Sequence, residues 1–141
     1  MQENKKLYSM KETCAITNLS YDTLKFYCNK GLIPNVKRNK SNYRVFDDND
    51  INWIKSMTCL KACGMSIAEI KEYLNLCLKG ESSIKERQKI LDNKLLELEQ
   101  KKKEIEASID FVHWKQNFYK DVLSGKAKYF SYLIQTENDG N

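Results

Sequence analysis

Ile84, Leu91, Leu98, Ile105, Val112 and Tyr119 recur every seven residues, with Leu95, Ile109 and Leu123 at the complementary seam positions, and neither glycine nor proline interrupts the run. A seven-residue apolar repeat sustained this long marks a long helix whose stripe lies against another helix. In a chain of 141 residues, such a helix finds too little of its own protein to cover that stripe. The pattern therefore predicts a second copy as partner, with Ile84, Leu91, Leu95, Leu98, Ile105, Ile109, Val112 and Tyr119 as dimerisation residues. Gln88, Lys102 and Gln116 break the complementary seam at even intervals, a device that sets register at some cost in stability. The competing arrangement folds the long helix back on the N-terminal part.

Upstream of this helix the start signals are closely spaced. Ser9-Met10-Lys11-Glu12, Ser66-Ile67-Ala68-Glu69 and Ser83-Ile84-Lys85-Glu86 each fit the capping box, and Ser20 and Asp47 read as further N-caps. They predict helices over about 10–15, 21–30, 48–63 and 67–78, stopped by Gly31, Gly64 and Gly80. The first two are joined by only a few residues, the layout of a helix-turn-helix. Leu32-Ile33-Pro34 and Tyr43-Arg44-Val45-Phe46 read as extended segments around the polar turn 35–42, a hairpin wing carrying Lys37, Arg38, Lys40 and Arg44 outward. The fold class expected is mainly α: a winged helix-turn-helix domain over 1–80, a dimerisation helix over 81–124 and a short polar, loosely ordered tail over 125–141.

Charge placement narrows the function. The net charge of +5 is moderate, but residues 23–46 hold six basic side chains (Lys25, Lys30, Lys37, Arg38, Lys40 and Arg44) and no acidic one. That asymmetry points to a phosphate-facing surface, against the plainer reading of a solvated basic face. No run of eighteen apolar residues exists and MQENKKLYSM lacks the apolar stretch of a signal peptide, so a cytoplasmic protein without membrane association is expected. The five cysteines, odd in number and without paired C-x-x-C spacing, then read as free thiols rather than disulfides or a zinc site. With one histidine, His113, no glycine-rich phosphate loop and no paired catalytic carboxylates, neither an enzyme nor a cofactor or metal site is expected.

Tyr8-Ser9-Met10-Lys11-Glu12, Leu19-Ser20-Tyr21-Asp22-Thr23-Leu24-Lys25-Phe26-Tyr27, Gly31-Leu32-Ile33-Pro34, Asn42-Tyr43-Arg44-Val45-Phe46 and Gly64-Met65-Ser66-Ile67-Ala68-Glu69-Ile70 stand in an order and spacing that resemble the DNA-binding domain of the MerR family of bacterial transcription regulators. The resemblance implies a homodimer, joined through an antiparallel coiled coil, on double-stranded promoter DNA. The site would be pseudo-palindromic. It also implies that bending and untwisting of the promoter spacer acts on RNA polymerase indirectly, at a deformation cost on the order of 1–10 kcal/mol. Carried over by position, the DNA contacts would be Ser9, Ser20, Tyr21, Lys25, Phe26, Arg38, Tyr43, Arg44 and Lys61, with Tyr27 as core or backbone support. Lys25 stands where the family usually has Arg, losing the bidentate fork. Asn42 stands where it usually has Gly, and asparagine tolerates the left-handed backbone the turn needs.

The 50–61 helix resembles the AdhR-like and NmlR-like branch, whose members respond to reactive aldehydes and related electrophiles through one cysteine; Cys59 falls on that position. Lys55 and Lys61 flank it, and a nearby cation favours the nucleophilic thiolate. The negative end of the helix dipole opposes this. For Cys59 two readings stay open, an electrophile-sensing thiol and a small filler beside the apolar stripe. Cys14, Cys28, Cys63 and Cys77 read as fillers. A disulfide between Cys59 and Cys63 is disfavoured, because helical residues four apart hold their Cβ atoms roughly 5–6 Å apart, against about 3.8 Å in a relaxed bridge. The alternative to thiol sensing is a small-molecule-binding regulator with structural cysteines and an aromatic pocket near Trp114, Phe118 and Tyr119.

Overall fold

Three reciprocal capping boxes set the frame of the N-terminal unit. Ser9 with Glu12, Asp47 with Asp50 and Ser66 with Glu69 start helices α1 (Met10–Thr17), α3 (Asp48–Ala62) and α4 (Ile67–Leu78). Ser20 caps α2 (Tyr21–Asn29) by accepting the Thr23 N–H. The computed structural model describes residues 5–136. Helix α1 runs two residues beyond the expected 15 and stops at Asn18, which takes the left-handed backbone (φ 59°) and turns the chain into α2.

The wing is built from shorter pieces than the sequence suggests. Strands β2 (Lys37–Arg38) and β3 (Arg44–Phe46) pair antiparallel, and β1 (Tyr8–Ser9) closes the other side of β3, giving the order β1-β3-β2. Leu32 and Ile33, expected as an extended wing segment, form no strand. Both side chains are buried instead, and the Leu32 carbonyl accepts the Trp53 indole N–H at 2.7 Å. Apolar character there serves the core rather than a sheet face. Strand β1 carries no sequence signal, since two residues are too few to show alternation.

Leu24, Leu32, Phe46, Ile54, Met57 and Ile70 are fully or almost fully buried in one cluster, against which Met10, Cys14, Val36 and Ile90 pack from the periphery. Burial of this kind stabilises by about 1.5–3 kcal/mol for each large apolar side chain. Gly31, which ends α2, has φ 70°, and an added Cβ would sit 2.9 Å from Lys71 Nζ, itself donating to the Lys30 carbonyl at 2.7 Å.

A third expected cap is corrected. Ser83 does not open α5 (Ile84–Leu123) with a capping box; residues Gly80–Ser83 form a single 3-10 turn leading directly into the helix. Its hydroxyl lies within hydrogen-bonding reach of the Leu76 and Gly80 carbonyls and accepts from Arg87 Nε at 3.0 Å. Arg87 Nη2 also donates to Gly80 O at 2.7 Å. Lys94, with its ammonium 3.4 Å from Glu69, is the buried cation of this region.

The chain divides into two compact units, one up to Lys94 and a second from Leu95 onward. In the second, Gly125 (φ 85°) reverses the chain after α5, and the Lys126 and Ala127 amides donate to the Asp121 carbonyl at 2.8 and 3.2 Å. The tail expected to be loosely ordered instead returns onto the helix end, where the Phe130 ring lies 5.0 Å from that of Phe118. Its aromatics supply ring contacts to the helix end that a purely polar tail would lack. Residues 137–141 of the expected tail lie outside the described residues. Among the described residues no helix is long and apolar enough to cross a membrane.

Candidate nucleic-acid interface

Helix α2 is anchored by Leu24 and Tyr27, both buried, which turns Tyr21, Lys25 and Phe26 toward solvent. Tyr21 is 56% exposed and Phe26 42%, which leaves two aromatic side chains on the outer face of α2. Lys30 holds its ammonium 5.7 Å from the Phe26 ring centre. The Ser20 hydroxyl accepts from Thr23 N–H and donates to Thr23 Oγ1 at 2.8 Å, while Ser9 accepts from Glu12 N–H at 3.1 Å. Both serines thus hold helix N-termini, where backbone N–H groups favour an anion.

Beside α2 stands the wing. Its turn is organised by Asn39, whose side-chain oxygen accepts the Ser41 and Tyr43 amides, both at 3.0 Å, and by Asn42, which adopts φ 66°. The left-handed conformation expected of Asn42 is therefore present. Tyr43 is 71% exposed. Arg38 Nη1 donates to the Asn42 carbonyl at 2.8 Å, and Arg44 Nη2 donates to Asn29 Oδ1 of α2 at 2.8 Å, tying wing to helix.

Arg38 and Arg44 are direct cross-strand partners. Like charges placed opposite each other in a ladder repel. Among the described residues neither arginine, nor Lys25, nor Lys40, is in an ion pair, so no carboxylate offsets the repulsion. An approaching polyanion would, and two guanidinium groups suit phosphate oxygens.

Lys37 departs from the expected outward row. Its ammonium lies 3.0 Å from Asp47 and 3.7 Å from Asp50, bracing β2 against the start of α3. The Asp50 backbone N–H holds the Asp47 carboxyl below its ordinary range, burial pushes Asp50 up, and the hydrogen bond to Asp47 raises Lys37. Because the Asp47 pKa is lowered by folding, its contribution is present above the carboxylate range and is lost as pH falls through it. Lys37→Met should therefore cost about 1 kcal/mol at neutral pH, reduced by the exposure of the ammonium. The deficit should shrink in acid, as thermal melts at several pH values would register. An equal deficit at all pH values would contradict the pairing.

The remaining sequence-predicted residues scatter. Lys61 and Cys59 are exposed on α3, and Cys63 is half-buried at its end. Cys14, Cys28 and Cys77 are half-buried; Cys14 and Cys28 pack against the core, and burial raises both their thiol pKa values, as suits packing thiols. Among the described residues no three His, Cys, Asp or Glu side chains are grouped to hold a metal ion. Along α5, Ile84, Leu91, Leu95, Ile105, Ile109, Val112 and Tyr119 are exposed and Leu98 is partly covered, so the stripe is unpartnered within the single chain. Asn29 and Asn39 were not singled out in the sequence. The polar turn around Asn39 carried a faint signal, whereas Asn29 gains its role only when the wing reaches α2.

Comparison with known proteins gives a consistent result. The family model described as MerR HTH family regulatory protein matches residues 8–77, and one described as MerR, DNA binding matches residues 52–112. An HTH-type transcriptional regulator of Haemophilus influenzae is 31% identical over 79% of this chain and 83% of its own length. The HTH-type transcriptional regulator AdhR of Bacillus subtilis is 40% identical over 52% of each chain. Among solved structures, HiNmlR, a MerR family regulator lacking the sensor domain and bound to promoter DNA, superposes with a TM-score of 0.75 at 29% identity, covering 84% of this chain and 90% of that one. A MerR family protein from Listeria monocytogenes gives the same TM-score and identity, covering 84% and 89%.

Proposed function

Because the chain belongs to the MerR HTH family of DNA-binding transcriptional regulators, we propose that it binds a pseudo-palindromic promoter site as a homodimer and distorts the spacer between promoter elements. The observation that carries the DNA contact is the unpaired Arg38 and Arg44 couple beside the exposed Tyr21, Lys25 and Phe26 face of α2. In this reading α2 enters the major groove, with Tyr21, Lys25 and Phe26 toward the bases. Arg38, Tyr43 and Arg44 of the wing, the α1 and α2 N-termini at Ser9 and Ser20, and Lys61 on α3 meet the phosphates. The exposed heptad stripe supports pairing with a second copy. RNA polymerase feels the protein through the altered promoter geometry.

Footprinting on the DNA upstream of the chain's own coding region tests this reading. Two protected half-sites related by a dyad, with enhanced cleavage in the spacer, are expected. Arg44→Ala should reduce the slope of log affinity against log salt by about one phosphate contact, roughly 0.9 on B-DNA. A slope left unchanged by both Arg38→Ala and Arg44→Ala would remove the wing from the interface.

The inducer is assigned to reactive aldehydes acting at Cys59. Its support is the exposed thiol on α3, together with the resemblance to the AdhR-like branch and the 40% identity to AdhR over 73 residues. The thiolate sulfur bonds to the carbonyl carbon, the C=O π pair moves to oxygen, and that oxygen takes a proton from water, giving a hydroxymethyl thioether with formaldehyde. Cys59→Ser should retain dimerisation and basal DNA affinity while abolishing the formaldehyde response of a promoter reporter. A variant that responds like the parent would overturn the assignment.

A further inference from the structure

We propose that the C-terminal unit carries a second, noncovalent ligand site: a cage of about 230 Å³ between the end of α5 and the returning tail, suited to a small planar aromatic carboxylate. The site goes beyond the DNA-binding and thiol readings and requires neither. Its walls are rings. Phe118 and Tyr119 come from the helix, Tyr119 lying also on the exposed heptad stripe assigned to dimerisation, and Tyr129, Phe130 and Tyr132 come from the tail. Phe130 meets Phe118 at 5.0 Å and 55°, and Tyr132 stands edge-on to Phe130 at 5.6 Å, so the wall rings lie at different tilts rather than in one plane. Offset and edge-to-face contacts are the arrangements aromatic rings prefer.

Charge selects the guest further. Among the described residues Lys115 is the single ionised side chain lining the cage, and it holds its ammonium 5.4 Å from the Trp114 ring centre and 5.7 Å from that of Tyr119. A carboxylate beside that ammonium makes a charge-assisted hydrogen bond, while the phenols of Tyr119 and Tyr132 supply further donors. The volume is below the roughly 300–1,000 Å³ of drug-sized pockets, which limits the guest to one or two fused rings. Tyr132 and Leu133 are 92% and 93% exposed, apolar surface that a bound ring would cover. The shape depends on the tail's return, held by the Lys126 and Ala127 amides on the Asp121 carbonyl and by the Leu133 N–H donating to Ser131 Oγ at 3.0 Å.

The two tryptophans make the test internal. Trp114 stacks on Phe118 at 5.9 Å and 6°, while Trp53 donates its indole N–H to Leu32 O in the N-terminal unit. Naphthoate titrated into the full-length protein should move the Trp114 indole N–H signal in a proton NMR spectrum saturably and leave that of Trp53 in place. Lys115→Met should weaken binding about tenfold, and Phe130→Ala should weaken it as well, with the unmoved Trp53 signal reporting an intact fold. Cyclohexanecarboxylate, charged but not aromatic, should bind more weakly than benzoate. The proposal is overturned if Trp114 shows no saturable shift, as when a second copy fills the cage, if both indoles shift together, or if Lys115→Met binds naphthoate like the parent.

Discussion

Ile105→Asp combined with Ile109→Asp should leave the protein helical but monomeric in sedimentation, with operator affinity lowered by about a hundredfold or more. Both isoleucines lie on α5, 60% and 48% exposed in the single chain, so nothing in that chain requires them to be apolar. Their loss costs little within one chain beyond the lower helix propensity of aspartate, a few tenths of a kcal/mol each. In a paired seam, by contrast, each carboxylate would be desolvated without a partner, a penalty of several kcal/mol. Two heads joined through α5 gain the second half-site at an effective concentration that multiplies affinity by about 10²–10⁴. A double variant that sediments as a dimer, or binds a full site as the parent does, would refute pairing through this stripe.

Phe46→Ala should cost about 3–5 kcal/mol and leave the N-terminal unit barely folded or unfolded at room temperature. Phe46 is fully buried, and its backbone pairs with Tyr8 across the β1–β3 ladder. Truncation removes the ring's transfer free energy and leaves a cavity in the cluster it shares with Leu24, Ile54 and Ile70, which α2, α3 and α4 cannot easily close. A chain of this size has roughly 5–15 kcal/mol of total stability to lose. Thermal melting should show a fall of many degrees, together with loss of DNA binding. Tyr43→Ala, three residues earlier but 71% exposed, should melt like the parent and affect DNA affinity alone. Equal melting of Phe46→Ala and the parent would contradict the packing.

Much of the architecture was legible because its signals are local. Ser9, Asp47 and Ser66 announce helix starts through bonds that span three residues, and the glycines at 31, 64 and 80 mark turns through backbone freedom that only local sterics control. The failures share a different cause. Ser83 carries the same capping pattern, yet its hydroxyl is taken by the Leu76 and Gly80 carbonyls and by Arg87, groups brought together by the junction of α4 and α5. Leu32 and Ile33 have strand-like side chains but no neighbouring strand, and they fill the core instead. Lys37 sits in a basic run whose composition says nothing of Asp47 and Asp50 lying 3.0 and 3.7 Å away.

The cysteines divide along the same line. Sequence distinguished Cys59 from the others by resemblance and by its flanking lysines, and the fold leaves Cys59 exposed while half-burying Cys14, Cys28, Cys63 and Cys77. The tail is the larger difference. Tyr129, Phe130 and Tyr132 lie in the segment expected to be a polar, loosely ordered tail, and only the reversal at Gly125 sets Phe130 against Phe118 to make a walled cage.

The sequence by itself determined the helix starts at Ser9, Ser20, Asp47 and Ser66, the stops at Gly31, Gly64 and Gly80, the basic stretch from residue 23 to residue 46 and the unbroken heptad stripe of α5, because these are written in local hydrogen bonds, periodicity or composition. Only the tertiary structure decided which cations are neutralised and which stay unpaired. Lys37 is drawn to Asp47 and Asp50, whereas Arg38 and Arg44 face each other across the wing with Asn29 steadying the second. Those pairings join residues between separate elements of the wing, α2 and α3 rather than along one helix or strand, and the free energy that brings those elements together comes from burying Phe46, Leu24 and Ile54 rather than from the charges themselves.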